Sequence, residues 1–189
     1  MYGLSGNDTY YVDSIGDVVS EEASAGQDEV RASIGGYVLG DNVERGVITV
    51  DTGLSLSGNA LANSLGGGGG NDLLTAGDGN DVLSGNGGND VLNGDAGDDT
   101  MYGGAGDDTM YGGAGNDNFY DQVGLNQAYG GAGDDRFVVE TAGSLQVFEN
   151  PGEGTDYVQV QIASYVLPAN VENAGIAIVD GALYGNGDA

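Results

Sequence analysis

Aspartate stands at positions 72, 81, 90, 99, 108, 117 and 135, a nine-residue spacing broken once, where Asn126 takes the expected place. Two residues before each aspartate comes a glycine. Two residues after each comes an apolar side chain: Leu74, Leu83, Leu92, Met101, Met110, Phe119 and Phe137. Carboxylates behind glycines are hard oxygen ligands on a backbone that can turn tightly and lend its own carbonyls. The chain carries 30 acidic residues against three arginines, has no histidine, and bears a formal net charge of -27. Carboxylates brought close together would therefore lack side-chain counter-ions, and a divalent cation that prefers oxygen is the remaining means of neutralising them. Calcium suits a flexible turn better than magnesium, which demands near-octahedral geometry.

The same composition removes other chemistries. With no cysteine there is no disulfide framework and no thiolate metal site. Without histidine or lysine the commonest general base, imidazole ligand and Schiff-base nucleophile are missing. No zinc-protease helix motif and no serine-elbow motif occurs, so no intrinsic catalysis is expected. The charge argues against nucleic acid and anionic membrane surfaces as partners. No apolar run approaches the ~20 residues of a membrane span, and no cleavable signal opens the sequence. Such acidity can also mean disorder, but 39 glycines against two prolines, with apolar residues at regular places, do not describe a solvating tail. Without its cation, however, the chain is expected to be disordered.

The elements that must position the aspartates follow from the repeat. Cut from Gly67, the sequence reads GGGGNDLLT, AGDGNDVLS, GNGGNDVLN, GDAGDDTMY, GGAGDDTMY, GGAGNDNFY, DQVGLNQAY, GGAGDDRFV. The last three residues of each nonapeptide make a minimal strand with one side chain inward and two outward. One apolar residue in nine cannot form a core alone, but stacked coils can. The expected fold is all-β, a parallel solenoid with two nonapeptides per coil. Asp72, Asp90 and Asp108 then line one edge, and Asp81, Asp99, Asp117 and Asp135 the other, at the ~4.8 Å spacing of adjacent strands. The preceding Asn71, Asn80, Asn89, Asp98 and Asp107 are expected to serve left-handed turn conformations and not to ligate. Tyr102, Tyr111, Tyr120 and Tyr129 should face outward as ladders, Tyr102 with Tyr120 on one sheet and Tyr111 with Tyr129 on the other. Asn126 is at best a weak neutral ligand, so the site shared with Asp108 should be weakened or empty.

This run resembles the RTX nonapeptide family, whose pattern is G-G-x-G-x-D-x-U-x. The resemblance implies a parallel β-roll with calcium held between the turns of successive coils. It implies that Asp72, Asp81, Asp90, Asp99, Asp108, Asp117 and Asp135 are side-chain ligands, assisted by turn carbonyls.

A longer repeat surrounds the roll. The segment 26-GQDEVRASIGGYVLGDNVERGVI-48 aligns without gaps with 154-GTDYVQVQIASYVLPANVENAGI-176, and 6-GNDTYYVD-13 pairs with 133-GDDRFVVE-140. The chain reads as about one and a half copies of a unit of roughly 128 residues. Residues 1–11 are expected to be the end of a preceding roll, 12–57 connector coils, 58–138 the calcium roll, and 139–189 a second connector repeating about 12–60. The connectors alternate with period two, as strands do, and keep an apolar beat of nine: Val30, Leu39, Ile48, and again Val158, Leu167, Ile176. They are expected to be further coils of variable length, mostly without metal, the alternative being a small separate sandwich-like lobe. Both ends fall inside repeats. Asp8 is a candidate ligand whose site is expected to need a preceding coil.

The expected function is that of a calcium-binding structural module of a secreted or surface protein, such as an adhesin, surface layer or fibre. The resemblance implies folding on calcium outside the cell after type I secretion, and copies of itself or neighbouring units joined end to end are the expected partners. The alternative is a polysaccharide-binding module attached to a secreted alginate epimerase, protease or lipase, with the tyrosine rings stacking on extracellular polysaccharide.

Overall fold

A computed structural model describes residues 1–189 apart from 24, 121–122, 141–143, 163, 177–181 and 185–189. Its described strands are short, and every pairing between them is parallel. Ten strands form one sheet, from Thr9–Val12 at one end to Asn173–Ile176 at the other. Seven form a second, from Tyr37–Val38 to Leu145–Phe148, and Ser164–Val166 pairs with Ala182–Tyr184 in a third. From Glu29–Ala32 to Tyr157–Val160 sequence neighbours alternate between the two large sheets, so the chain winds as a parallel β-solenoid of the β-roll kind.

In the roll the register is the repeat itself. Leu65, Leu83, Met101, Phe119 and Phe137 occupy successive rungs of the ten-stranded sheet. Leu56, Leu74, Leu92, Met110 and Ala128 do so in the seven-stranded sheet. All ten are buried and form one continuous core. Parallel pairing needs a crossover, and two nonapeptide arms supply one that returns each strand beside its predecessor. The sharp corners depend on position four of the repeat, where Gly79, Gly88, Gly97, Gly106, Gly115, Gly124 and Gly133 take φ between 111° and 139°. A Cβ on Gly97, Gly106 or Gly115 would also strike the carbonyl of the glycine one coil away. Conformation and space both demand glycine there.

The connectors stack on the same sheets but do not keep the beat of nine. Tyr10, Val30, Gly46 and Leu65 share successive rungs, and so do Phe137, Val158 and Ala174. The steps between them are unequal, so connector coils are both longer and shorter than those of the roll. Ile48 and Ile176 therefore pair with Ala32 and Val160, one inward place beyond the rung expected for them. Leu39 is likewise displaced, because Tyr37 takes the place opposite Leu56. The physical reason is strand alternation: residues two apart face the same side, so a beat that slips by two still lands in the core. Gly46 fits its rung because Leu39, Leu56 and Leu65 already fill the space its Cβ would need.

The outward tyrosines lie as expected. Tyr102 stacks on Tyr120 with ring centroids 4.9 Å apart, and Tyr111 on Tyr129 at the same distance. The second ladder continues onto Phe148 at 4.6 Å. Within the core, Phe119 and Phe137 stack at 4.7 Å.

One inward residue per arm makes each rung a large share of the local core. Leu83→Ala should lower the stability of the calcium-loaded chain by about 2–5 kcal/mol in denaturant titrations at fixed calcium. Val82→Ala, on the neighbouring outward position and 42% exposed, should change it by less than about 0.5 kcal/mol. Equal effects would contradict the inward–outward assignment.

Candidate metal centre

Each ligand candidate sits just before an inward rung, at the corner where the chain enters a strand. Asp72, Asp81, Asp90, Asp99, Asp108, Asp117 and Asp135 are all buried, at 0–2% exposure, and Asp8 is half-buried. The structure brings them into two columns. On one edge the backbone N–H of Asp72 donates to Asp90 Oδ1 at 2.7 Å, that of Asp90 to Asp108 Oδ1 at 2.8 Å, and that of Asp108 to Asn126 Oδ1 at 2.8 Å. On the other, Asp81 donates to Asp99 and Asp99 to Asp117, both at 2.8 Å, and Asp117 to Asp135 at 2.7 Å. One oxygen of each carboxylate thus ties two coils together.

The second oxygen has no such task. Oδ2 of Asp81, Asp90, Asp99, Asp117 and Asp135 is buried without a hydrogen-bond partner. Asp72 differs, because its Oδ2 accepts from the N–H of Gly68 at 2.7 Å. Buried carboxylate oxygens left unpaired are strongly unfavourable, and the arginines are committed elsewhere. Arg31 and Arg45 lie 2.5 and 3.6 Å from Glu29, and Arg136 lies over the Tyr120 ring.

A small hollow at a glycine accompanies the orphaned oxygens of Asp90, Asp99, Asp117 and Asp135; the repeat of Asp81 opens on Ala76 instead. At position one of the repeat, a Cβ on Gly85 would collide with Asp90 Oδ2 and with the carbonyl of Gly103 in the next coil. Gly94 faces Asp99 Oδ2 and the Gly112 carbonyl, and Gly112 faces Asp117 Oδ2 and the Gly130 carbonyl. The hollow is lined by a carboxylate and a carbonyl from different coils, an all-oxygen donor set of the type calcium takes. The residues present fit the ion.

Burial, partly countered by the backbone hydrogen bond, pushes the Asp90 and Asp99 carboxyls up to about 7 and that of Asp117 to about 6; neighbouring carboxylates push in the same direction. Asp135 is pushed to about 7 and Asp81 is raised, again chiefly by burial.

Position five behaves differently from expectation. Asn71, Asn80, Asn89, Asp98 and Asp107 are not among the residues with positive φ; those are Asn42, Asn86, Asp95 and Asn170. Their side chains instead accept from the backbone one coil ahead: Asn89 N–H donates to Asn71 Oδ1 at 2.8 Å, Asp107 N–H to Asn89 Oδ1 at 3.0 Å, and Leu125 N–H to Asp107 Oδ1 at 2.8 Å. Asn80 and Asp98 do the same on the opposite edge.

The columns also run into the connectors, where acidic residues outside the nonapeptides take their places. Asp135 N–H donates to Asp156 Oδ1, and Asp156 N–H to Glu172 Oε2, both at 2.9 Å. Asp8 N–H donates to Asp28 Oδ1 at 2.8 Å and Asp28 N–H to Glu44 Oε2 at 2.9 Å. Asp28 and Asp156 could have been found from the sequence, since Asp28-Glu29-Val30 and Asp156-Tyr157-Val158 repeat the D-x-apolar trio.

Two outcomes follow. In chelator, the raised carboxyls mean that the metal-free fold binds more protons than the unfolded chain. Its stability is therefore greatest in acid and is lost as pH rises through about 6–7. Circular dichroism in chelator should show β structure gained on acidification and lost toward pH 8; no acid-induced gain would contradict the burial. Replacing Asn126 by Asp should add one calcium on the Asp108 edge, counted by calorimetry; Asp121, the other departure from the pattern, lies outside the described residues. An unchanged count would contradict the column assignment.

The model of the RTX calcium-binding nonapeptide repeat (4 copies) matches this chain at residues 57–92, 84–119 and 119–139. Searches of curated proteins and of solved structures return no match. The matched residues carry the two aspartate columns, the orphaned oxygens and the glycine corners. Residues 57–139 are therefore a run of RTX calcium-binding nonapeptide repeats.

Proposed function

We propose that this chain is a calcium-folded structural module of a secreted or surface protein, and that the seven roll aspartates are its side-chain ligands. The observation that carries the reading is the set of buried, unpartnered Oδ2 atoms on Asp81, Asp90, Asp99, Asp117 and Asp135. An ion between coils converts the least favourable feature of the fold into the one that closes it. With dissociation constants of about 10⁻⁴ M and calcium near about 10⁻³ M, each ion adds about 1.4 kcal/mol to stability. Several sites in one solenoid then separate a folded state outside the cell from an unfolded one in a low-calcium cytosol. The RTX family is typical of secreted proteins, which supports an extracellular setting and a scaffolding role over intrinsic catalysis.

The sheets end in strands whose outer backbone groups have no strand beside them among the described residues, Thr9–Val12 among them. Such edges suit end-to-end continuation by neighbouring units or further copies. Polysaccharide binding is the second reading, favoured by Tyr111, which is 42% exposed on its ladder. The stacking of Tyr102 on Tyr120 and of Tyr111 on Tyr129 already uses one face of each ring within the protein.

A calcium titration followed by circular dichroism tests the proposal. Millimolar calcium should convert a coil spectrum into a β spectrum at neutral pH, with magnesium far less effective. A β spectrum that persists unchanged in excess chelator at neutral pH would sink it.

A further inference from the structure

Beyond the matched repeats, two three-carboxylate clusters stand at equivalent places in the longer sequence unit. Asp135, Glu149 and Asp156 bring one ligand oxygen each within 4.8 Å of one another, and so do Asp8, Glu21 and Asp28. Glu149 and Asp156 follow the last nonapeptide, and no nonapeptide match includes Glu21 or Asp28.

The hollow at Gly130 shows what Glu149 does. Along this edge, the hollows at Gly94 and Gly112 each pair an aspartate Oδ2 with the carbonyl of the next position-one glycine, Gly112 and Gly130 in turn. At Gly130 the series of nonapeptides stops. There, Asp135 Oδ2 faces Glu149 Oε1 where the glycine carbonyl would have been. The Gly130 N–H donates to the same Glu149 oxygen at 3.0 Å. Glu149 thus puts a full carboxylate where the preceding hollows of this edge offer a carbonyl, and Asp156 supplies the third. The first cluster repeats the plan with Gly3 beside Glu21 Oε1, which here also accepts from the Tyr10 hydroxyl.

Acidic clusters are common on a protein this acidic, but these are not surface features. Glu21, Asp28, Asp135, Glu149 and Asp156 are 1–9% exposed. Glu21 Oε2, Asp28 Oδ2, Asp135 Oδ2 and Glu149 Oε2 are buried with no hydrogen-bond partner. Three carboxylates within one ion's coordination sphere, with orphaned oxygens and the arginine ion pairs all made elsewhere, form a recurrent arrangement that a hard divalent cation satisfies.

We propose that Asp135, Glu149 and Asp156, and their counterparts Asp8, Glu21 and Asp28, each hold one further calcium ion that locks the connector coil onto the end of a roll. The inference rests on the reading of the roll as calcium-folded. It differs in that Glu149 and Glu21, outside any nonapeptide, are ligands, and that each site carries three carboxylates.

The sign of a charge-removing substitution separates this from the alternative. Without an ion, deleting one of three packed carboxylates relieves repulsion and stabilises; with an ion, it removes a ligand and destabilises. Bound calcium is counted by equilibrium dialysis on the full chain, and thermal midpoints are read in saturating calcium, for wild type, E149Q, E21Q and the double variant. Each single variant should bind one ion fewer and the double two fewer, with lowered midpoints and the β spectrum kept. An unchanged count, or a midpoint equal to or above wild type, overturns the proposal while leaving the roll sites standing. A wild type that binds no calcium would bring down the roll reading and this one together. Should E149Q fail to fold, E149D is used: it should reach the full count only at higher calcium, and filling at wild-type concentrations overturns the proposal.

Discussion

The structure depends on the repulsion between carboxylates that the fold itself stacks. Every coil of the roll adds an aspartate to each edge at the spacing of adjacent strands, buries it, and gives it no cationic side chain; Asn126 is the exception. Attraction in the core is thinly spread, since one apolar side chain per nonapeptide faces inward. On the function proposed above, a chain built this way has a fold available but does not hold it until a cation enters between the coils. Folding and metal binding are then one equilibrium, as in small metal-nucleated domains, extended along a solenoid in which each coil touches only its neighbours.

The two oxygens of each aspartate divide the work. Oδ1 accepts a backbone N–H from the coil behind, while position five accepts one from the coil ahead, so each corner is sewn to both neighbours by hydrogen bonds. Oδ2 of Asp81, Asp90, Asp99, Asp117 and Asp135 takes no such bond and is the atom proposed to meet the ion. Asparagine can perform the first task and not the second. Asn126 shows this separation: its Oδ1 takes the N–H of Asp108 at 2.8 Å, the same distance as between aspartates, and the strands on either side keep their register. The coil geometry survives the loss of a charge because geometry and charge reside on different atoms.

Legibility in the sequence follows the strictness of the repeat. Over residues 67–138 the period alone gives the inward residues, the coil length, the two aspartate edges and the tyrosine ladders, because glycine, aspartate and apolar residue stay in phase. In the connectors it fails for a physical reason. Residues two apart share a face, so coils of unequal length, such as those from Tyr10 to Val30 and from Val30 to Gly46, can bury an apolar pattern that looks like a beat of nine. Position five misleads because two different hydrogen bonds favour the same residue types there: a local turn contact and a contact to the next coil. Glu21 and Glu149 carry no local signal at all. Glu21 is one of an adjacent pair with Glu22 and Glu149 lies in an acidic stretch, and only the fold places Glu21 against Asp8 and Glu149 against Asp135.

Those glutamates also bear on how a repeating fold can stop repeating. Inside the roll the hollows at Gly85, Gly94 and Gly112 each borrow a carbonyl from the next coil, and at Gly130, where the nonapeptides end, that carbonyl is missing. The connector cannot supply that carbonyl in the same place, because its coil, from Phe137 to Val158, is longer than the one from Phe119 to Phe137 and approaches the corner differently. A long side chain can reach where the backbone does not. Glutamate reaches far enough to occupy the carbonyl's position and brings a full charge with it. That charge adds to a cluster already repelled by Asp135 and Asp156, and burial together with those two neighbours pushes the Glu149 carboxyl up to about 8. A residue so unfavourably placed is explicable if the end of the column is where the solenoid most needs to be fastened, since the coil beyond it departs from the regular length that stacks the roll.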